Sequence, residues 1–307
     1  MKIGVKVGPT DWESTFEQIT PECVEIWFRL DWADRYDRLI NYLTQQHIPF
    51  GLHYWDAIEG KYFPSFLSAR DGLAEKTFTS LCRTLELAGH WQAHYVNFHP
   101  ESYRVSLLDL DKHIIRTLDQ EKPIDRDAGF AQLMRFMPRI RQFALERNVV
   151  PFIETVPRFL PSDFDYEGRS NVVPMQAEGM ETAKYFELAK AGYPICLDIG
   201  HTIAQQISED RQFLFTYVLD TALQLRDAVG LIHVTTNLPP FNGVDSHQGV
   251  TEQDFASGVL PDREQMKSLL AVFRATDTWL VPEPQMNAKV QNFRALEKLV
   301  GELGNAN

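Results

Sequence analysis

Short apolar runs alternate with longer amphipathic segments along almost the whole chain. The short runs are rich in β-branched and aromatic residues, which is typical of buried strands. Eight such runs are present, at residues 2–7, 23–29, 48–54, 95–100, 149–155, 194–201, 230–237 and 279–284. The sequence therefore predicts eight strands separated by stretches of another kind.

The stretches between the strands repeat apolar residues at helical spacing. In residues 32–43, for example, Trp32, Tyr36, Leu39 and Leu43 share one helical face. Similar patterns occupy residues 128–147, 176–191, 210–229, 262–276 and 288–302. Eight strand–helix units predict an α/β fold, a single (β/α)8 TIM barrel that forms one domain over residues 1–307. A doubly wound sheet is the alternative, but no glycine-rich phosphate-binding turn follows the first strand.

Composition limits the cellular compartments in which this protein is expected. Hydrophobic residues make up 44% of the 307 residues, which is enough for a sizeable core. No apolar run reaches the ~18 residues that a membrane-spanning helix needs, so we expect no membrane partner. The N-terminus has no signal-peptide pattern, and Cys23, Cys82 and Cys196 form no pair close in sequence. These features predict a reducing compartment and a cytoplasmic protein.

Charge limits the partners that the protein can bind. The net charge is −12, and residues 101–127 hold seven acidic and five basic groups. No Lys or Arg occurs between Arg226 and Arg263. Because duplex DNA is bound through Lys and Arg contacts to phosphate, we do not expect it as a partner. A small anionic substrate stays open, and four arginines are candidate phosphate contacts: Arg29, Arg104, Arg158 and Arg169.

Histidines and carboxylates collect where the predicted strands end. These ends meet at one rim of a barrel, where active sites form. Nine residues of this kind occur from the third strand to the eighth: His53, His99, Glu154, Asp198, His201, His233, Asp245, His247 and Glu283. Each one alone would be an ordinary polar group, but together they are a ligand set suited to Zn²⁺, Mn²⁺, Mg²⁺ or Co²⁺. Nine ligands exceed the needs of one ion and predict two or three.

The motifs that carry these residues are GLHY, NFHP, PFIET, CLDIGH, IHV, DSH and VPEP. With them the sequence resembles the xylose isomerase-like TIM barrel superfamily and, within it, the endonuclease IV group (AP endonuclease family 2) of metal phosphoesterases. The resemblance implies a trinuclear zinc site in which Glu154 bridges two ions. The implied ligand groups are His53, His99 and Glu154; Glu154, Asp198, His233 and Glu283; and His201, Asp245 and His247.

Three functions follow from this set. The first is a metal-dependent phosphoesterase with two or three Zn²⁺, in which clustered dications activate water and Glu154 and Glu283 also accept protons. The alternative, which the resemblance to the superfamily implies, is a sugar or sugar-phosphate isomerase or epimerase with one Mn²⁺, Mg²⁺ or Co²⁺ on Glu154, Asp198, His233 and Glu283. There the two glutamates move a proton beside a carbonyl. The third is a non-catalytic barrel that binds a ligand. We expect an enzyme with a small-molecule substrate, and a phosphorylated sugar is one candidate.

Two segments near these motifs have two interpretations each. Residues 156–174 are rich in proline and aromatic residues, which fits either a lid over the site or a packed surface loop. Tyr54 and Trp55 follow His53 directly and would either stack on a base or sugar ring or anchor the loop.

Overall fold

Eight parallel strands close into a barrel, and their order around it follows their order along the chain. The computed structural model describes residues 1–111, 114–118, 122–160, 163–165, 176–284 and 288–304. The barrel strands are β1 (Lys2–Val7), β2 (Cys23–Arg29), β3 (Phe50–Trp55), β4 (Tyr95–Phe98), β5 (Val150–Glu154), β6 (Ile195–Asp198), β7 (Val229–Val234) and β8 (Trp279–Pro282). The predicted (β/α)8 barrel is confirmed.

Helices surround the barrel and cover the outer faces of its strands. They are α1 (Trp12–Phe16), a 3₁₀ helix (Leu30–Arg35), α2 (Asp37–Gln45), α3 (Leu73–His90), α4 (Arg126–Leu145), α5 (Thr182–Lys190), α6 (Ile199–Ile203), α7 (Arg211–Leu225), α8 (Glu252–Ala256), α9 (Arg263–Val272) and α10 (Lys289–Gly304). The main hydrophobic core lies between these helices and the strands. Within the described residues, no helix is both long and apolar enough to cross a membrane.

Bulky side chains fill the barrel near the N-terminal ends of its strands. Tyr95, Phe152 and Trp279 pack there with smaller buried residues. Glycines on neighbouring strands make room for them: a Cβ on Gly51 would lie 2.3 Å from the Tyr95 ring, and one on Gly230 would lie 2.6 Å from the Phe152 ring. Because this end is packed, a ligand reaches the barrel interior from the C-terminal ends of the strands.

The structure differs from the sequence prediction at several element boundaries. The helix predicted over 32–43 is divided into the 3₁₀ helix and α2, and the strand predicted over 194–201 ends at Asp198. The structure also adds small strands within the long loops of the C-terminal side. Residues 106–109, 114–117 and 163–165 form one antiparallel sheet, and 159–160 pair with 176–177. Of the predicted lid, residues 161–162 and 166–174 lie outside the described residues.

Candidate active site

All nine predicted site residues lie at the C-terminal end of the barrel. His53, Glu154, Asp198 and His233 belong to strands, and His201 belongs to α6. The others follow strands: His99 after β4, Asp245 and His247 after β7, and Glu283 after β8. Glu154, Asp198 and His233 are completely buried, and the Glu283 side chain keeps 19% of its surface exposed. The parallel register explains their common level, since Asp198 and His233 are direct neighbours on adjacent strands.

The first predicted ligand group, which consists of His53, His99 and Glu154, is compact. His53 Nε2 lies 3.3 Å from His99 Nε2, and His99 Nε2 lies 3.2 Å from Glu154 Oε1. His53, His99 and Glu154 each offer one ligand atom, and these atoms all lie within 4.8 Å of one another. The three residues therefore have the spacing that a single bound cation requires.

The second predicted group joins four successive strands. His233 Nδ1 lies 3.1 Å from Glu154 Oε1 and 2.9 Å from Glu283 Oε2. Asp198 Oδ2 is 3.7 Å from the same nitrogen. One ligand atom from each of these four residues falls within 4.8 Å of the others. We call Glu154, Asp198, His233 and Glu283 the four-strand group.

The third predicted group is arranged differently from the expectation. Asp245 contacts His247 Nδ1, and its Oδ2 lies 3.4 Å from His201 Nε2. The compact set of ligand atoms at this place, however, comes from Asp198, His201 and His247. Asp198 thus lies between the second and third groups, as Glu154 lies between the first and second.

The local fold explains how Asp198 and His201 reach the same site. Asp198 ends β6 and is the N-cap of α6. Its Oδ1 accepts hydrogen bonds from the His201 backbone N–H at 2.8 Å and from Thr235 Oγ1 at 2.9 Å. Gly200 is required by close approach, since a Cβ there would lie 2.6 Å from Thr235 Oγ1.

The chemistry of these residues fits a divalent cation. Asp198 Oδ2 is buried and has no hydrogen-bond partner among the described residues. A buried carboxylate oxygen without a partner is costly unless a cation or donor reaches it. The donor set around it consists of imidazole nitrogens and carboxylate oxygens, which suit Zn²⁺ and Mn²⁺ among other ions. In the four-strand group alone, three carboxylates surround one histidine.

The protonation of the site reflects this concentration of carboxylates. Burial by itself would lower the pKa of His99, but Glu154 and Glu101 raise it to about 9. Burial would likewise raise the pKa of Glu154, yet His233, His99 and His53 lower it well below its usual value. In the metal-free site, protons on histidine therefore take the place that a metal cation would occupy.

Solved structures with the same architecture exist, whereas no protein-family model and no curated protein sequence matches the chain. A D-tagatose 3-epimerase-like protein is 12% identical with a TM-score of 0.67, and 99% of each chain is covered. The 3-keto-D-glucoside 4-epimerase from E. coli is 15% identical with a TM-score of 0.61, covering 97% of this chain and 98% of its own. Endonuclease IV from Thermus thermophilus is 14% identical with a TM-score of 0.57, covering 98% and 100%.

The chain shares the (β/α)8 barrel fold of these proteins. At 12–15% identity these likenesses concern the fold alone. The resemblance inferred from the strand-end motifs is confirmed at this level, because endonuclease IV and sugar epimerases are both among the structures that share the fold.

Two charged residues of this barrel were missed by the sequence analysis. Lys6 on β1 and Glu25 on β2 point into the barrel, and both are buried. Lys6 Nζ donates hydrogen bonds to His53 Nδ1 and, at 2.5 Å, to Glu283 Oε1. His233 Nε2 lies 2.9 Å from Glu25 Oε1. A charged residue inside an otherwise apolar strand run was the available signal, because burial there demands a charged partner.

Aromatic side chains line the mouth beside His53 and His99. The Trp55 ring centre lies 6.1 Å from that of His53 and 6.0 Å from that of His99. The ring centres of Trp27 and Phe63 lie 6.4 Å and 5.3 Å from the ring centre of Trp55. We call Trp27, Trp55 and Phe63 the aromatic wall. Trp55 Nε1 is buried and has no hydrogen-bond partner in the described part of the chain.

The other aromatic residue after His53 has a different role. Tyr54 is buried, and its hydroxyl donates a hydrogen bond to Ser80 Oγ at 2.8 Å. Ser80 in turn donates to Asp56, so the segment after β3 is tied to α3. Of the two interpretations, loop anchoring fits Tyr54, while Trp55 faces the predicted ligands.

The candidate phosphate contacts are largely occupied by carboxylates. Arg29 makes a bidentate pair with Asp31, at 3.0 Å and 2.6 Å, and also contacts Asp111. Arg104 pairs with Glu178 at 2.6 Å and 2.8 Å. Arg158 has no carboxylate partner among the described residues, and its guanidinium lies 5.7 Å from the Phe159 ring centre. Arg169 lies outside the described residues.

Proposed function

We propose that this protein is a metal-dependent enzyme that isomerises or epimerises a small sugar bearing a carbonyl group. The observation that carries the proposal is the four-strand group, in which one ligand atom from each member lies within 4.8 Å of the others. These four residues form the complete ligand set that the sugar isomerase interpretation requires. The D-tagatose 3-epimerase-like protein and the 3-keto-D-glucoside 4-epimerase, which share the fold, add support by analogy.

The two glutamates of the four-strand group are suited to proton transfer. A divalent cation bound here would polarise a carbonyl oxygen and so acidify the neighbouring C–H bond. Glu283, which is partly exposed at the mouth, would accept the proton from that carbon. Glu154, on the adjoining side of the group, would take up a proton from solvent and return it to the opposite face or to the neighbouring carbon, while Glu283 releases its proton to solvent. One proton leaves the substrate and one returns, so the reaction needs no oxidant or reductant.

The surroundings favour a substrate without phosphate. Lys6, Arg29 and Arg104 are engaged by carboxylates, which leaves few cations to meet a phosphate group. The aromatic wall lies beside the predicted ligands, and aromatic rings pack well against the apolar face of a sugar. A neutral keto sugar therefore suits this mouth better than a phosphorylated one.

A metal-cluster phosphoesterase is the second candidate function. It is favoured by two further compact groups, one formed by His53, His99 and Glu154 and the other by Asp198, His201 and His247. A single-metal isomerase has no need of these additional histidines, whereas adjacent dications clamp both oxygens of an in-line displacement at phosphorus. Endonuclease IV shares the fold. The few free cations at the mouth are the argument against a phosphoester substrate.

Metal content per chain separates the two functions. The protein would be purified without chelator or affinity-column metal, analysed by elemental mass spectrometry, and assayed on neutral keto-sugar and phosphoester panels. One divalent ion per chain with epimerase or isomerase activity is the expected result. Two or three zinc ions with phosphoester hydrolysis would replace the proposal by the second candidate. No bound metal and no turnover would favour a non-catalytic ligand-binding barrel.

A further inference from the structure

Beneath the predicted ligands, Lys6 and Glu25 form a buried ion pair that no predicted ligand set includes. Lys6 Nζ lies 3.3 Å from Glu25 Oε1, and the Glu25 side chain is completely buried. Tyr95 Oη donates a hydrogen bond to Glu25 Oε2 at 3.0 Å. Burying two charges costs several kcal/mol per ion, so such a pair is weak evidence for stability alone. Its contacts suggest another role.

Glu25 contacts the far sides of two predicted metal ligands. Its Oε1 lies 2.9 Å from His233 Nε2 and 3.4 Å from His53 Nδ1. The opposite nitrogens, His233 Nδ1 and His53 Nε2, face Glu154 at 3.1 Å and 3.6 Å. A carboxylate that accepts the N–H on one side of an imidazole leaves the lone pair of the other nitrogen for a metal. Glu25 therefore favours the metal-binding tautomer of both histidines.

Lys6 acts on His53 in the opposite sense to Glu25. Its ammonium donates a hydrogen bond to His53 Nδ1, which must then be an acceptor. In neutral His53 that arrangement puts the proton on Nε2, the nitrogen that faces His99 and Glu154. Lys6 Nζ also holds Glu283 Oε1 at 2.5 Å. An ammonium, which is a strict donor, thus competes with a metal for two of its predicted ligands.

A second compact group of residues agrees with competition between Lys6 and a metal. Glu25, His53, His233 and Glu283 form a compact metal-capable group of their own. Lys6 Nζ contacts three of these four residues, so the ammonium takes the position of a cation among them.

We propose that Glu25 and Lys6 are opposed positioning residues for the metal: Glu25 strengthens metal binding through His53 and His233, and Lys6 weakens it by holding His53 and Glu283. The inference rests on the metal site of the proposed function. It adds that the two members of one ion pair change metal affinity in opposite directions. A purely structural ion pair would not behave in this way, because loss of either partner would damage the same site.

The test compares the Zn²⁺ affinity of the unmodified full-length protein with that of its variants. Each protein is first freed of metal with a chelator, and its affinity is then measured by competition with a chromophoric chelator. Glu25→Gln should weaken Zn²⁺ binding about 10- to 100-fold, the usual effect of losing a carboxylate behind a ligating histidine. Lys6→Met should strengthen it about tenfold, since a like charge beside the metal is removed. The double variant, which removes both charges of the ion pair, should bind with intermediate affinity. Tyr95→Phe removes only a hydrogen bond to Glu25 and is the matched control, with affinity close to that of the unmodified protein.

Thermal unfolding of each metal-free variant separates folding from metal binding. The inference is overturned if Glu25→Gln leaves Zn²⁺ affinity unchanged, or if both single variants weaken it in step with a fall in Tm. In those cases the unmodified chain still binds Zn²⁺, so the proposed function survives. If the unmodified chain binds neither Zn²⁺ nor Mn²⁺, the proposed metal-dependent function fails, and this inference fails with it.

Discussion

The two halves of the barrel mouth are built from different residues. Strands β5 to β8 supply the four-strand group, in which three carboxylates surround one histidine. Strands β1 to β4 supply an ion pair, two histidines and the aromatic wall. Both candidate functions need the first half, since its ligand set is common to them. The second half adds His53 and His99, which complete a further compact group with Glu154, together with the aromatic wall.

Removal of the central ligand of the first half should have the largest effect. His233→Ala takes away the nitrogen that lies within 3.7 Å of Glu154, Asp198 and Glu283 oxygens. We expect loss of metal from the four-strand group and at least the ~10²–10⁴-fold loss of activity that accompanies failed acid–base catalysis. Elemental analysis and turnover would be measured together, with circular dichroism to verify that the barrel is folded.

His94→Ala is the matched control for this variant. His94 lies just before β4, at the packed end of the barrel, where its ring centre is 5.6 Å from that of Trp279. It should keep both metal content and activity. A His233→Ala protein with full metal content and full turnover would show that the first half is not the metal site.

The pH dependence of metal binding tests whether His99, which follows β4 at the boundary between the two halves, is a metal ligand. In the metal-free protein the pKa of His99 is raised to about 9, because Glu154 and Glu101 overcome the opposing effect of burial. The proton on His99 must leave before the nitrogen can bind a metal. Zn²⁺ affinity should therefore rise with pH, approaching tenfold per pH unit below about 9 from this group, and level off above it.

His99→Gln is the variant that isolates this effect. Chelator competition between pH 6.5 and 9 should give a slope smaller by up to one proton for the variant than for the unmodified protein. An identical slope in both proteins would mean that His99 takes no part in metal binding. The second half of the mouth would then contribute no metal ligand through β4.

The same contrast explains what the sequence could reveal. The residues of the four-strand group stand at or beside strand ends, where a histidine or carboxylate after an apolar run is conspicuous. Lys6 and Glu25 stand inside such runs and face the barrel only because of strand parity, which the apolar pattern alone does not fix. The partners of these two residues lie on other strands or directly after them, 19 to 277 residues away along the chain. Such contacts follow from barrel closure and not from local pattern.

Boundaries of elements were also less predictable than their existence. All eight strands were predicted, but the strand predicted over 194–201 included the start of α6, because the apolar Ile199 directly follows Asp198. Its start depends on the side chain of Asp198 accepting the His201 backbone N–H. In the small sheet, residues 163–165 pair with the distant segment 114–117, and pairing at that range leaves no local signature.

Truncation of the aromatic wall should affect substrate binding more than chemistry. Trp55→Ala removes the ring that lies about 6 Å from both His53 and His99. Loss of one stacking contact is worth about 1 kcal/mol, so we expect KM for a keto sugar to rise about fivefold while kcat and metal content change little. Steady-state kinetics would be measured on a substrate found in the sugar panel.

Trp91→Ala controls for the loss of a large ring away from the mouth. Trp91 packs on Phe28 at the C-terminal end of α3, outside the barrel. It should lower thermal stability without raising KM. An unchanged KM in Trp55→Ala would remove the aromatic wall from the substrate site.

The smallest effect is expected at Arg158, and it bears directly on the choice between substrate classes. Of the candidate phosphate contacts Arg29, Arg104 and Arg158, only Arg158 has no carboxylate partner among the described residues. It is therefore the cation best able to bind a phosphate. If the substrate is neutral, Arg158→Met should change kcat/KM less than about twofold, as most substitutions away from a site do. Arg38→Met, on an exposed arginine paired with Glu13 on the outer helices, gives the background value. A loss of 10-fold or more on a phosphorylated substrate, against no loss on its unphosphorylated analogue, would identify Arg158, which follows β5, as a phosphate contact and would favour the phosphorylated substrate that the metal-cluster phosphoesterase requires.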